Sequence, residues 1–127
     1  MAKKEFTYRG KTLEELNAMS LNEFALLIKS EYRRNLKRGI PHAQQVLLDH
    51  IKVGRKKLKT HSREMIILPQ MVGRTIDVHK GNSYVPVMVT DEMLGRRLGE
   101  FAITRKKVQH GSPGIGATKG SKAASVK

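Results

Sequence analysis

Thr75-Ile76-Asp77-Val78-His79-Lys80-Gly81-Asn82-Ser83-Tyr84-Val85-Pro86-Val87-Met88-Val89-Thr90 is the stretch on which the fold turns. Ile76 and Val78 alternate with Asp77 and His79, and Val85, Val87 and Val89 fall on one face. A period of two marks strands with one face buried. The intervening Lys80-Gly81-Asn82-Ser83 supplies Gly and Asn, the residues that tolerate positive φ in a tight turn, so the two strands are expected to pair antiparallel. Pro86 has no N–H for a ladder, which puts its strand at an edge or turns that position toward solvent.

Upstream, Met65-Ile66-Ile67-Leu68 is a short apolar run closed by Pro69 and is read as a third strand. Downstream, Thr90-Asp91-Glu92 predicts a short helix with acids at its positive end, kept short by Gly95 and Gly99. The front of the chain is helical. Thr12-Leu13-Glu14-Glu15 and Ser20-Leu21-Asn22-Glu23 both have the capping-box pattern, a hydroxyl at the cap and a carboxylate three residues on. Leu21, Phe24, Leu27, Ile28 and Tyr32 then form one apolar stripe, predicting a helix over 21–38 that Gly39 ends. Pro41 suits the first turn of a further helix with Val46, Leu47 and Ile51 inward, stopping at Gly54, after which 55–63 reads as a basic loop.

The expected architecture is α+β: N-terminal helices packed on a small three-stranded, mainly antiparallel sheet, then a short helix and a disordered basic C-terminal tail. Residues 1–105 would form a single α+β domain, with 1–54 mainly helical, 55–63 the basic loop and 64–105 the sheet and short helix. Residues 106–127 would be the flexible tail, since from Arg105 onward there is no acid and little apolar content to offset the entropy of ordering.

Charge narrows the function. Among 127 residues there are 25 Lys+Arg and 11 Asp+Glu, a net charge of +14. A small domain is soluble with a net charge of roughly 2 to 8, so the surplus points to a polyanionic partner. It is also unevenly placed: residues 29–63 hold 11 basic and 2 acidic side chains and 101–127 hold 6 and none, while 64–100 hold 4 and 5. A near-neutral folded centre between two basic segments is the pattern of a nucleic-acid binder.

Other chemistries find little support. With no Cys there is no disulfide framework, thiolate metal site or cysteine nucleophile. The five histidines lack metal-ligand spacing, and Asp91 with Glu92 reads as a helix start rather than an acid-base pair. Gly111-Ser112-Pro113-Gly114-Ile115-Gly116-Ala117-Thr118-Lys119-Gly120 fits neither phosphate-loop pattern and follows no strand. No enzyme, cofactor or metal is expected. No apolar stretch nears the ~18 residues of a membrane helix, and no secretory signal is visible, so a cytoplasmic address is expected. Aromatics are few, which favours folded RNA read by shape and phosphates over a single-strand stacking platform. Duplex DNA stays open: 21–38, the Gly39-Ile40-Pro41 turn and 42–53 could be a helix-turn-helix offering Gln44 and Gln45 to base edges.

A longer pattern is more specific. Lys59-Thr60-His61-Ser62-Arg63, Ile67-Leu68-Pro69, Met71-Val72-Gly73, Thr75-Ile76 and Val78-His79-Lys80-Gly81-Asn82 lead into Val85-Pro86-Val87, Met93-Leu94-Gly95, Leu98-Gly99-Glu100-Phe101-Ala102, Thr104-Arg105 and His110-Gly111. In order and spacing this resembles the small-subunit ribosomal protein family numbered nineteen. Phe6, Tyr8-Arg9-Gly10, Leu13 and Leu16 in front, and Pro113-Gly114-Ile115-Gly116-Ala117-Thr118 behind, resemble its archaeal and eukaryotic members, with His61 where the bacterial pattern has Trp.

The resemblance implies a structural, non-catalytic constituent of the small-subunit head that binds the 3′ major domain of the small-subunit ribosomal RNA. It further implies a neighbouring ribosomal protein numbered thirteen, a tail directed to the decoding site and transfer RNA, no membrane and no homo-oligomer. Clustering, strengthened by the resemblance at 59–63, nominates Arg33, Arg34, Lys37, Arg38, Arg55, Lys56, Lys57, Lys59, Thr60, His61, Ser62 and Arg63 for ribosomal RNA. Position in the matching stretch adds Arg74, His79, Lys80, Asn82, Arg96, Arg97, Arg105, Lys106, Lys107 and His110, and the tail contributes Lys119, Lys122 and Lys127.

Overall fold

The computed structural model describes residues 4–111 and Gly114. Helices α1 (Leu13–Ala18) and α2 (Leu21–Leu27) begin at the two expected capping boxes. The Ser20 N–H donates to Glu23 Oε2 at 2.9 Å, and the Glu23 N–H returns to Ser20 Oγ at 3.4 Å.

The helix expected over 21–38 is two helices, α2 and α3 (Ser30–Lys37). At Ile28 the backbone becomes extended (ψ 168°) and the side chain enters the core, 2% exposed. The carbonyls freed at this break are taken up by one side chain: Arg33 donates to the carbonyls of Ala25 (3.0 Å), Leu26 (3.0 Å) and Ile28 (3.2 Å). A continuous stripe cannot reveal such a break, because the apolar residues on either side of it still face the same core. Helix α4 (His42–Val53) follows Pro41, which caps rather than opens it, and buries Leu47, Leu48 and Ile51.

Three strands form one sheet in the order β1-β2-β3. The hairpin is as expected: β2 (Thr75–His79) and β3 (Tyr84–Met88) pair antiparallel with His79 opposite Tyr84, and Pro86 is exposed on an edge strand. In the connecting turn the Lys80 N–H donates to the Ser83 carbonyl at 2.9 Å, and Gly81 takes φ 111°. The third strand is elsewhere than expected. It is β1 (Lys59–Thr60), inside the segment read as a basic loop, and it runs parallel to β2. Two residues are too few to show a period.

Residues 65–68 are the centre of the core instead, each at most 4% exposed. They and Arg63 pair with 95–99: Ile67 N–H to the Arg96 carbonyl (2.8 Å), Gly95 N–H to Ile67 (3.2 Å), Leu98 N–H to Met65 (2.9 Å) and Gly99 N–H to Arg63 (2.8 Å). A run buried on both faces has no alternation, so sequence cannot tell a sheet strand from this buried spine. Gly99 is required by the approach, since a Cβ there would stand 3.0 Å from both the Cβ and the carbonyl oxygen of Arg63. The short helix expected after the last strand is two single 3-10 turns, Asp91–Met93 and Leu98–Phe101. One apolar cluster joins the helices, spine and sheet, from Leu16 and Phe24 through Ile67 and Met71 to Val78 and Ala102. Residues 105–111 are exposed and belong to no helix or strand, and apart from Gly114 the rest of the expected tail lies outside the described residues.

Ile67 is fully enclosed, so Ile67→Ala is expected to cost about 2–5 kcal/mol in urea unfolding. The cap of α2 should weaken in acid. The Ser20 N–H and hydroxyl hold the Glu23 carboxyl below its ordinary 4.5. Its contribution is complete above that ordinary value and is lost as pH falls through the lowered one. The melting-temperature gap between the parent and Glu23→Ala should therefore hold above pH 4.5 and narrow as the pH falls below it.

Candidate RNA interface

The basic block of 29–63 is divided in space. Arg34, Lys37 and Arg38 are exposed at the end of α3, and Arg55, Lys56 and Lys57 are exposed beyond the end of α4. The 12 residues of α4 lie between them, a rise of about 18 Å. That span is several phosphate spacings of a nucleic-acid strand.

A third group gathers where β1 meets the hairpin. Thr60 pairs in register with Val78, which carries the next residue, His61, alongside His79. Their rings stack with centroids 4.2 Å apart. Tyr84, opposite His79, stands edge-on to both rings, and its hydroxyl lies 2.8 Å from His61 Nε2. The Lys59 ammonium sits 5.0 Å from the Tyr84 ring centre. His79 Nδ1 accepts the Gly81 N–H at 3.2 Å, which leaves the neutral ring its proton on Nε2. This small aromatic patch with a cation on it can take a base face or a ribose edge. Tyr84 was not among the residues nominated from sequence. Its signal was there, since a four-residue turn between paired strands sets residues 79 and 84 opposite each other.

Several nominated residues direct their polar groups into the protein. Arg63 donates to the carbonyls of His79 (2.8 Å), Gly99 (2.8 Å) and Ala102 (2.6 Å), tying the hairpin to the C-terminal segment. Arg33 clasps the α2–α3 break as described. Thr60 is buried, and its hydroxyl accepts the Ser62 N–H at 3.0 Å. Arg97 lies over the Tyr32 ring at 5.1 Å and reaches Glu31 at 3.4 Å. Arg74 and Lys80 are half-buried, whereas Asn82, Arg96, Arg105, Lys106, Lys107 and His110 are exposed. Lys119, Lys122 and Lys127 lie outside the described residues. Of the helix-turn-helix expectation little is left: α3 has 8 residues, and the Gln45 amide on α4 donates to the Ile40 carbonyl at 2.9 Å, folding back on the turn before its helix.

No group of metal-ligating side chains is found among the described residues, and no helix there is long and apolar enough to cross a membrane. What the surface offers is separated clusters of cations on a rigid α+β body. The family model described as ribosomal protein S19 matches residues 34–110. The chain belongs to the ribosomal protein S19 family. It is similar to a small ribosomal subunit protein uS19 of Methanocella arvoryzae, 50% identical over 125 residues, which cover 98% of this chain and 89% of that protein. A small ribosomal subunit protein uS19 of Picrophilus torridus is 48% identical over 119 residues, or 94% of this chain and 79% of its own. Membership makes the chain a structural ribosomal protein and not an enzyme. The matched span includes all three cation clusters and the whole spine, while α1 and α2 precede it.

Arg63→Ala should cost about 2–4 kcal/mol in denaturant unfolding of the free protein, because three carbonyls lose a charged donor at once. Arg63→Lys should recover only part of this, since an ammonium cannot reproduce the planar fork.

Proposed function

We propose that the chain is a structural constituent of the small-subunit head that holds the 3′ major domain of the small-subunit ribosomal RNA by its phosphates. The observation that carries this is the placement of charge. Family membership supplies the RNA-bound setting, and within it the cations of 34–38, 55–59 and 105–107 project from a body whose spine and sheet are apolar. Each phosphate neutralised releases counterions, so separated clusters on a rigid frame gain affinity in proportion to the phosphates they reach together. Arg34, Lys37, Arg38, Arg55, Lys56, Lys57, Lys59, Arg96, Arg105, Lys106 and Lys107 take phosphates in this reading. His61, His79, Asn82 and His110 would contact sugar or base, Ser62 and Arg74 would add polar contacts, and Arg33, Thr60, Arg63 and Arg97 would shape the surface around them.

Residues 1–105 act as the RNA-binding domain, with the ribosomal protein numbered thirteen as its neighbour. Residues 106–127 act as an acid-free extension, and its Lys119, Lys122 and Lys127 reach the decoding region and transfer RNA. The resemblance in the tail motif supports that direction, and the run of basic residues without an acid supplies the chemistry.

Replacing Arg55, Lys56 and Lys57 together by Ala tests the electrostatic mechanism. The slope of log K against log salt for binding a head-domain ribosomal RNA fragment should flatten by roughly 0.7 to 0.9 for each true phosphate contact removed. An unchanged slope would mean that these three side chains are merely solvated.

A further inference from the structure

A cavity of about 260 Å³ lies between the turn that follows Tyr8, the start of α3 and the segment before Gly99. Three of its lining residues, Arg9, Lys29 and Arg96, are cations, and two, Glu92 and Glu100, are anions. Tyr8 and Tyr32 supply aromatic walls. None of the three cations is fully committed: Arg96 approaches Glu100 only at 3.9 Å, and no ion pair involves Arg9 or Lys29 among the described residues.

Two features show that the cavity is built rather than incidental. Tyr8 and Lys11 exchange backbone hydrogen bonds of 2.9 and 3.0 Å across Arg9 and Gly10, whose φ angles are 52° and 78°. Positive φ at both central positions is the type I′ pattern, for which Asn and Gly are the favourable residues. Arg9 is the one non-glycine with positive φ among the described residues, and it occupies this position against its steric preference. Strain of this kind concentrates at ligand-holding sites. Across the cavity, Gly95 has φ 74°, and a Cβ there would come within 2.6 Å of the Tyr8 hydroxyl and 3.1 Å of Ile28 Cγ2. Any side chain at 95 would close the wall that the Tyr8 hydroxyl forms.

The donor and acceptor set selects the ligand. A bare phosphate would meet three cations but would leave Glu92, and the Glu100 oxygen that Tyr32 does not bond, without a hydrogen-bond donor, and an acidic peptide side chain would meet the same mismatch. A nucleotide carries both halves, an anion for the cations and, one sugar away, an exocyclic amine for a carboxylate. The Tyr32 hydroxyl already donates to Glu100 Oε1 at 2.8 Å, which fixes that carboxylate, and the same contact holds the phenol above its ordinary 10, so the donor keeps its proton. Glu92 is exposed at the rim and free to accept.

We infer that this cavity takes a single unpaired nucleotide of the bound RNA, its phosphate among Arg9, Lys29 and Arg96 and an amino-bearing base edge toward Glu92 and Glu100. Cytosine, adenine and guanine carry such an amine, whereas uracil offers a carboxylate only its ring N–H and fits the set less well. The inference rests on the RNA-binding reading above and adds a pocket that recognises one base to the phosphate clusters.

The test is titration of the full isotope-labelled chain, followed by amide NMR, with cytidine monophosphate, uridine monophosphate and inorganic phosphate in parallel. Saturable shifts at Gly10, Gly95 and Glu100 are expected with the cytidine nucleotide, at least severalfold weaker with the uridine nucleotide and absent with phosphate. Arg9→Gly should abolish them while leaving the melting temperature equal or higher, since it removes the strained φ along with the cation; a residue that only shapes the turn would leave nucleotide binding intact. Equal shifts with all three probes, or none that saturate, would overturn the pocket. Retained affinity of the same chain for the ribosomal RNA fragment would show that the broader reading survives that failure. In purified small subunits, a photocrosslink from Tyr8→p-azidophenylalanine should map to an RNA nucleotide. A crosslink to a protein would overturn the assignment in favour of a protein partner.

Discussion

Arg63 is the constraint on which the rest of the molecule depends. It lies between β1 and the buried spine, and its one guanidinium reaches the carbonyls of His79, Gly99 and Ala102. Two segments far apart in sequence, the end of β2 and residues 99–102, are thus fixed to one planar group. Its own carbonyl meanwhile accepts the Gly99 N–H, which begins the pairing of spine and C-terminal segment. A half-buried cation on three carbonyls is a charge-assisted arrangement stronger than neutral bonds of the same length. With this clamp in place the hairpin cannot swing away from the core, and the stack of His61, His79 and Tyr84 keeps its shape.

Arg33 does a related job at the other end of the fold. Breaking the helix at Ile28 strands the carbonyls of Ala25, Leu26 and Ile28, and unsatisfied buried carbonyls would make that break costly. The guanidinium takes all three, so Ile28 is free to enter the core and α3 is free to change direction. The change of direction sets Lys29 and Tyr32 against the turn that holds Arg9. An arginine read as surface charge thereby positions one wall of a cavity.

Much of the fold was legible in the sequence. Both capping boxes, the hairpin with its edge proline and the helix ending at Gly54 carry local chemistry that needs no tertiary context. What was not legible has a common cause. Met65-Ile66-Ile67-Leu68 is buried all round and so has no period, Lys59-Thr60 is too short to have one, and the break at Ile28 preserves the apolar stripe across it. In the candidate site, clustering in sequence overstated clustering in space, because α4 holds its two flanking basic groups apart. Tyr84 could have been found beside His79 from the hairpin turn, but its contact with His61 comes through a parallel pairing that the sequence does not announce.

The surplus of positive charge also looks different once the arginines are sorted by what they touch. A charge that lies on backbone carbonyls is already stabilised inside the fold, whereas one at a helix end or in a loop is stabilised only by water or a polyanion. Composition counts the two alike. The distinction is geometric: Arg33 and Arg63 stand next to carbonyls that lose their partners where a helix breaks or a segment ends, and Arg55, Lys56 and Lys57 stand next to none. Lysine fits less well at the first kind of position, because its donors all sit on one nitrogen whereas Arg33 and Arg63 each donate from two, but it serves at the second, where a point charge suffices. Since Arg55 and Arg96 are exposed like the lysines, residue type alone does not separate the two kinds, and it is an arginine close in sequence to a predicted break that is to be weighed first as a carbonyl clamp and only then as a phosphate ligand.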